Sequence, residues 1–257
     1  MRDTVDLNAD MGESFGPWKM GDDAALLDII SSANIACGFH AGDPDVMAET
    51  MAHAVAGGVG IGAHPGLADL RGFGRNRMDV PHATLANKVR YQVGAAQGMA
   101  RAAGGAVRHL KLHGALANMA SEDEGLARTC YAAALSVDPE IILVVLAGTA
   151  QEKAARSLGA RMACEIFADR AYNADCTLVD RRQPGAVIHD ATRATARILD
   201  MLRAGAILAE DGTHIPTRID TICLHGDTPE AVAIARSLRT GLEAAGVRVA
   251  QFKGARG

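Results

Sequence analysis

Short β-rich runs recur along this chain between longer helical stretches, and that alternation limits its folding more than any other feature. The candidate strands are Asp3–Leu7, Ala33–Cys37, Val59–Ala63, Arg108–Leu112, Ile141–Val145, Arg161–Ile166 and Ile219–Leu224. Most are apolar without interruption, as strands covered on both faces would be. The stretches between them carry helix signals. Asp43-Pro44 offers an N-cap and a first-turn proline, and Gly57 a stop. Ser121 with Glu124 fits a capping box, as does Thr149 with Glu152 ahead of Gly159. Thr228-Pro229 opens a last long helix that Gly246 closes. Strand–helix units in series mean parallel strands joined by right-handed crossovers.

These units predict a single (β/α) barrel of about seven parallel strands, with residues 1–257 forming one domain. An open doubly wound sheet is the alternative, because periodicity does not report closure. The run VRVAQF near the C-terminus either adds an eighth strand or packs outside. No linker, low-complexity tract or internal repeat interrupts the pattern. A hydrophobic fraction of 49% is enough to fill a large core.

Composition removes several classes of partner. Aromatic residues make up 4% of the chain, too few for the stacking platforms of single-strand nucleic-acid binders. A net charge of −4 with no Lys/Arg cluster argues against nucleic acid of any kind. The longest aliphatic run, Ile141–Ala147, is too short to cross a membrane. The N-terminal MRDTVDLNAD has no apolar signal segment. Five scattered cysteines without a C-x-x-C pair fit reduced thiols, so the expected location is cytoplasmic and the expected ligand a small molecule.

The functional signal is positional. Polar residues gather at the ends of the strand candidates, where an α/β barrel places its active site. Asp6, Asn8, Asp10 and Glu13 follow the first, His40 and Asp43 the second, and His64 the third. Lys111, His113 and Asn118 follow the fourth, Glu165, Asp169, Arg170 and Tyr172 the sixth, and His225 and Asp227 the last. One such histidine is ordinarily a hydrogen-bonded core residue. Four of nine at the same ends of four strands are hard to explain by packing, since each buried imidazole needs satisfied partners.

Individual members have plainer explanations. Asp43 is expected to cap the helix that Pro44 begins, and Asp227 fits a turn. Cys37 stands three residues before His40, yet reads as a small buried hydrophobe rather than a nucleophile. Arg75, in GFGR, and Arg170 are candidates to clamp a carboxylate or phosphate, although Arg75 also suits a solvated loop. No Walker loop, dinucleotide fingerprint, H-E-x-x-H, G-x-S-x-G or cysteine zinc cluster is present.

Seven blocks carry a family resemblance: DLNADMGE at 6–13, ANIACGFHAGDP at 33–44, IGAHPG at 61–66, GFGR at 72–75, KLHGALAN at 111–118, EIFADRAY at 165–172 and CLHGDTP at 223–229. In order and across nearly the whole chain, they resemble the LamB/YcsF family. The resemblance implies a seven-stranded barrel of the glycoside hydrolase/deacetylase type. It also implies a role as the A component of a three-part enzyme, beside subunits B and C. That enzyme opens 5-oxoproline (pyroglutamate) to glutamate, with ATP as co-substrate. The chain departs from the family pattern at Leu112, Ala117 and Cys176, where proline, an aromatic and glycine are usual.

For that chemistry Asp10, His40, His64, Lys111 and His113 are the expected catalytic set. Asp10 or His113 would act as base and Lys111 as electrostatic stabiliser. Asp6, Asn8, Glu13, Arg75, Asp169, Arg170 and His225 are expected around the substrate, with Arg75 or Arg170 holding its carboxylate. A stand-alone metal-dependent deacetylase or amidohydrolase is the second enzyme reading, with a divalent metal on Asp10, His40 and His64. A non-catalytic subunit that presents a small acid is the third.

Overall fold

The computed structural model describes residues 3–224 and 230–256. Seven strands form its centre: β1 (Thr4–Met11), β2 (Ser32–Ala36), β3 (Gly60–His64), β4 (Val107–Lys111), β5 (Ile142–Leu146), β6 (Arg161–Phe167) and, after a small hairpin β7–β8 (Ala206–Leu208, His214–Pro216), β9 (Thr221–Leu224). β1 to β6 pair in sequence order, all parallel. β9 pairs in parallel with both β6 and β1, which closes the barrel. Closure excludes the open sheet.

Helices cross between the strands: α1 (Asp23–Leu27), α2 (Pro44–Ala56), α3 (His82–Ala102), α4 (Gly114–Glu122), α5 (Glu124–Val137), α6 (Ala150–Ser157), α7 (Ala191–Ala204) and α8 (Ala231–Ala244). Each long helix turns an apolar stripe inward. In α7 the buried residues Ala194, Ile198, Met201 and Leu202 recur at helical spacing, and in α8 so do Ile234, Ala235, Leu238 and Leu242. The two stripes are fused with the outward faces of the strands into one core.

Asp43 does cap α2, accepting from the backbone N–H groups of Asp45 and Val46, and Gly57 follows the helix end. The Ser121–Glu124 capping box does not form. Ser121 lies inside α4, where its hydroxyl donates to Asn118 O, and Asp123 caps α5 instead. Thr149 caps α6, while Glu152 accepts from Gly148 N–H. The Thr228-Pro229 helix start lies outside the described residues.

The C-terminal run supplies no eighth barrel strand. β10 (Arg248–Val249) adds two residues alongside the start of β1, and β11 (Ala255–Arg256) runs antiparallel to the start of β6. Between them Phe252 packs under the barrel against Ile142, Val144 and Ala163.

Candidate active site

The polar residues of the first strand lie within it, not beyond it, because β1 runs on to Met11. Alternation then sends Asp6, Asn8 and Asp10 into the barrel as three successive levels. Neighbouring strands contribute to the same levels, with Ser32 and Asn34 on β2, His64 on β3, His109 and Lys111 on β4, Glu165 on β6, and Thr221 and Cys223 on β9. All of these side chains are buried.

At the lowest level Asp6 accepts from the hydroxyls of Ser31, Ser32 and Thr221. Burial raises its carboxyl to about 6, against the opposing pull of those hydrogen bonds. Asn8, above it, donates to Thr221 Oγ1 at 2.7 Å and Glu165 Oε1 at 3.0 Å. Asp6 and Asn8 therefore lie beneath the cavity and do not line it, contrary to their expected place around the substrate. Their polar atoms are engaged by the barrel wall.

The next level is charged. Lys111 Nζ lies 2.9 Å from Asp10 Oδ1, 3.1 Å from Glu165 Oε1 and 2.8 Å from Cys223 Sγ. Burial works against its ammonium, but the attraction of Asp10 and Glu165 outweighs this and holds it above the ordinary lysine value. Burial raises the Glu165 carboxyl, with Lys111 pulling the other way. Two carboxylates thus share one buried cation. Removing one partner from a buried ion pair costs about 3–5 kcal/mol.

Above it the histidines meet. His64 Nδ1 donates to Lys111 O at 2.8 Å, and His113 Nε2 donates to Phe73 O at 2.8 Å. This turns His64 Nε2 and His113 Nδ1 toward each other, 3.0 Å apart. Asp10 Oδ2 stands 3.3 Å from His64 Nε2, and Glu13 Oε1 stands 3.7 Å from both His113 Nδ1 and His40 Nε2. The His40 ring stacks on His113 with centroids 3.6 Å apart, and neither of its nitrogens has a hydrogen-bond partner. Burial lowers His113 to about 3 and His40 well below the usual imidazole value. Neutral imidazoles are ligands, not cations.

Imidazole nitrogens and a carboxylate converging in a buried site suit a bound cation. One atom each from Glu13, His40, His64 and His113 lies within 4.8 Å of the others. Three imidazole nitrogens and a carboxylate oxygen suit a divalent ion of the zinc type. The residues fit a metal, with Glu13 and His113 joining His40 and His64 in place of the Asp10, His40 and His64 set expected from sequence. Asp10 instead bridges the cluster to Lys111.

This centre opens into a cavity of about 790 Å³ whose wall presents Asp10, Glu13, Lys111, His113 and Glu165. Arg75 and Arg170 also reach it. Arg75 is exposed and its guanidinium lies 4.9 Å from the Phe73 ring centroid. Arg170 is buried, with Nε and Nη2 donating to Ala186 O and Val179 O, so it clasps the loop after β6. Burial lowers its guanidinium to about 10. Asp169 is buried outside the cavity wall, and its carbonyl accepts from Ile188 N–H. His225 lies outside the described residues, as does Asp227. Cys37 donates weakly to Ile35 O, and burial pushes its thiol up to about 12, as expected of an inert core residue.

Sequence position alone gives Glu165 no role and does not single out Asn34, His109 or Thr221, while Cys223 reads only as one of five reduced thiols. Their available signal was period-two spacing inside strands, in Asp6/Asn8/Asp10, Ser32/Asn34 and His109/Lys111, where polar residues share the inward face.

The LamB/YcsF family model matches residues 5–257. The chain belongs to the LamB/YcsF family. The A subunit of the Ruegeria pomeroyi 5-oxoprolinase is 69% identical over 249 residues, covering 97% of this chain and 98% of that protein. The crystal structure of a lactam utilization protein from Thermus thermophilus superposes with a TM-score of 0.91 at 43% identity, covering 97% of this chain and 100% of that one. A family 4 carbohydrate esterase from Streptomyces lividans shares the fold alone, with a TM-score of 0.50 and 11% identity over 96% of this chain and 92% of that one.

Proposed function

We propose that this chain is the A component of an ATP-dependent 5-oxoprolinase, acting in the cytoplasm with subunits B and C to open 5-oxoproline to glutamate. The observation that carries the reading is the junction at the cavity floor, where Asp10 joins the Lys111–Glu165 ion pair to the Glu13/His40/His64/His113 cluster. Full-length similarity to the Ruegeria pomeroyi protein supports the choice of substrate.

A five-membered lactam is a stable amide, and its ring closure competes with opening. Phosphorylation of the lactam oxygen by the partner subunits makes it a better electrophile and couples opening to ATP. This chain then directs water onto the activated carbon. Both line the cavity, but Asp10 is the better base than His113, because a carboxylate oxygen accepts further hydrogen bonds while both nitrogens of His113 are engaged within the cluster. Lys111 orients Asp10 from 2.9 Å. Its close contacts with Asp10, Glu165 and Cys223 make it a support for the base more than a donor to substrate. Arg75 is the better carboxylate anchor, because it is exposed at the cavity wall while Arg170 is buried against loop carbonyls. A divalent cation on Glu13, His40, His64 and His113 supplies Lewis acidity toward a carbonyl oxygen when bound.

The test is glutamate release from 5-oxoproline and ATP, with and without subunits B and C. The purified chain alone is expected to be inert and the mixture active. In the mixture Asp10→Asn is expected to lower the rate by about 10²–10⁴-fold. ATP-independent amide or acetyl hydrolysis by the chain alone would favour the stand-alone metal-dependent reading. Full activity of Asp10→Asn in the complex would overturn the site assignment.

A further inference from the structure

We propose that His109 is a positioning residue for Asp10 and Glu165, setting the direction of the hydrogen bonds beneath the cavity through Asn34. The inference deepens the reading of Asp10 as part of the reacting centre, and rests on it. His109 is fully buried on β4, one level below Lys111, and does not line the cavity. Its Nε2 lies 2.9 Å from Asn34 Oδ1. Asn34 Nδ2 in turn lies 2.7 Å from Asn8 Oδ1 and 2.9 Å from Asp10 Oδ1.

The direction of these bonds follows from elimination. Two acceptor oxygens flank the far end of the Asn34 amide, so that end must be the NH₂ group and Oδ1 must face His109. Burial lowers the His109 ring to about 3, so it is neutral with a single N–H, and that proton must sit on Nε2. Nδ1 then carries a lone pair, and it has no partner. An unsatisfied buried acceptor costs about 1–3 kcal/mol. A tautomer satisfied at Nδ1 would remove the one donor that Asn34 Oδ1 faces.

The consequences extend through both amides. With Asn8 Oδ1 taken by Asn34 and Lys111, the Asn8 NH₂ is turned to Glu165 Oε1 and Thr221 Oγ1. Asp10 Oδ1 receives Asn34 and Lys111, which leaves Oδ2 as the oxygen toward His64. A flipped Asn34 would set its carbonyl against two acceptors. The strands make specific room for this arrangement. A Cβ on Gly62 would collide with His109 Nε2, and the β3–β4 register slips between Ile61 and Gly62.

Two variants separate positioning from packing. His109→Gln keeps an N–H near the Nε2 position, whereas His109→Phe keeps a ring against Phe252 and removes the donor. In the reconstituted complex His109→Phe is expected to lower kcat by about 10–100-fold with KM little changed, and His109→Gln to restore most of it. In the isolated chain, NMR is expected to show Asn34 side-chain protons exchanging at least about tenfold faster in His109→Phe only, reflecting loss of the hydrogen bond that holds the amide. Equal kcat and equal exchange in His109→Phe and wild type would overturn the proposal. So would equal damage in both variants accompanied by equal loss of Tm, the pattern of a purely structural histidine. Nitrogen-15 shifts of the wild-type ring decide the matter without any variant, with Nε2–H expected and Nδ1–H refuting it. Should the wild-type complex release no glutamate, the function reading fails, while exchange and tautomer still judge this one.

Discussion

The barrel interior has an upper and a lower half that treat polar groups in opposite ways. Below Asn8, Asp6 is enclosed by three hydroxyls and Phe252 seals the base against Ile142, Val144 and Ala163. Above it, two carboxylates compete for one lysine, and two imidazole nitrogens face each other across 3.0 Å. Apart from His109 Nδ1, the lower half resembles a satisfied core. The upper half tolerates frustration that only a ligand or a reaction would relieve, the division of labour common to α/β barrels.

The comparison is broken most forcefully at Lys111. Lys111→Met leaves Asp10 and Glu165 as uncompensated buried neighbours. Calorimetry is expected to record about 3–5 kcal/mol of lost stability, with turnover in the complex abolished as well. Adding Glu165→Gln should return part of the stability and none of the turnover. Phe252→Ala tests the other half. It should cost about 3–5 kcal/mol, read by denaturant unfolding, yet leave kcat per folded molecule within about threefold. A large fall in kcat there would dissolve the distinction between halves.

A smaller effect distinguishes the two halves by pH. The Asp6 carboxyl is raised from 3.8 to about 6 in the folded chain, so the folded state binds the proton more tightly. Its contribution to stability is present below about pH 4 and is lost as pH rises through about 6. Asp6→Asn should therefore gain on wild type between pH 4 and 7, by about 2–3 kcal/mol. Unfolding curves that stay parallel across that range would refute the assignment. Smallest of all, Asp43→Ala should cost about 1 kcal/mol through loss of the α2 cap. Activity in the complex should change little.

Seven strand candidates all became barrel strands because their apolar runs face helices on the outside, a pattern that survives in sequence. Closure was expected from the number of strand–helix units and from the family resemblance, not from periodicity, since the Asp6–Thr221 pairing of β1 with β9 joins segments that no local period connects. His40, His64 and His113 were legible as strand-end histidines, and they do converge. Asp6 was misplaced because a polar residue in a strand looks like the end of the strand. Asn34 and His109 were invisible for a related reason. Both sit inside strand candidates, and only the inward register reveals that they meet the polar side chains of β1. The metal-compatible set needed Glu13 and His113, whose meeting depends on how the loop after β1 and the start of α4 approach each other.

Closure of the ring by β9 also has a consequence in time. Thr221 cannot pair with Asp6 until the ribosome has made the intervening chain, which at about 5–20 residues per second takes roughly ten to forty seconds. Throughout that interval β1 has an open edge, and Asp6 lacks one of the three hydroxyls that later enclose it. Contacts so distant in sequence also slow the search for the native arrangement. The nascent barrel is thus most vulnerable to mispairing along its first strand, the one that carries Asp10.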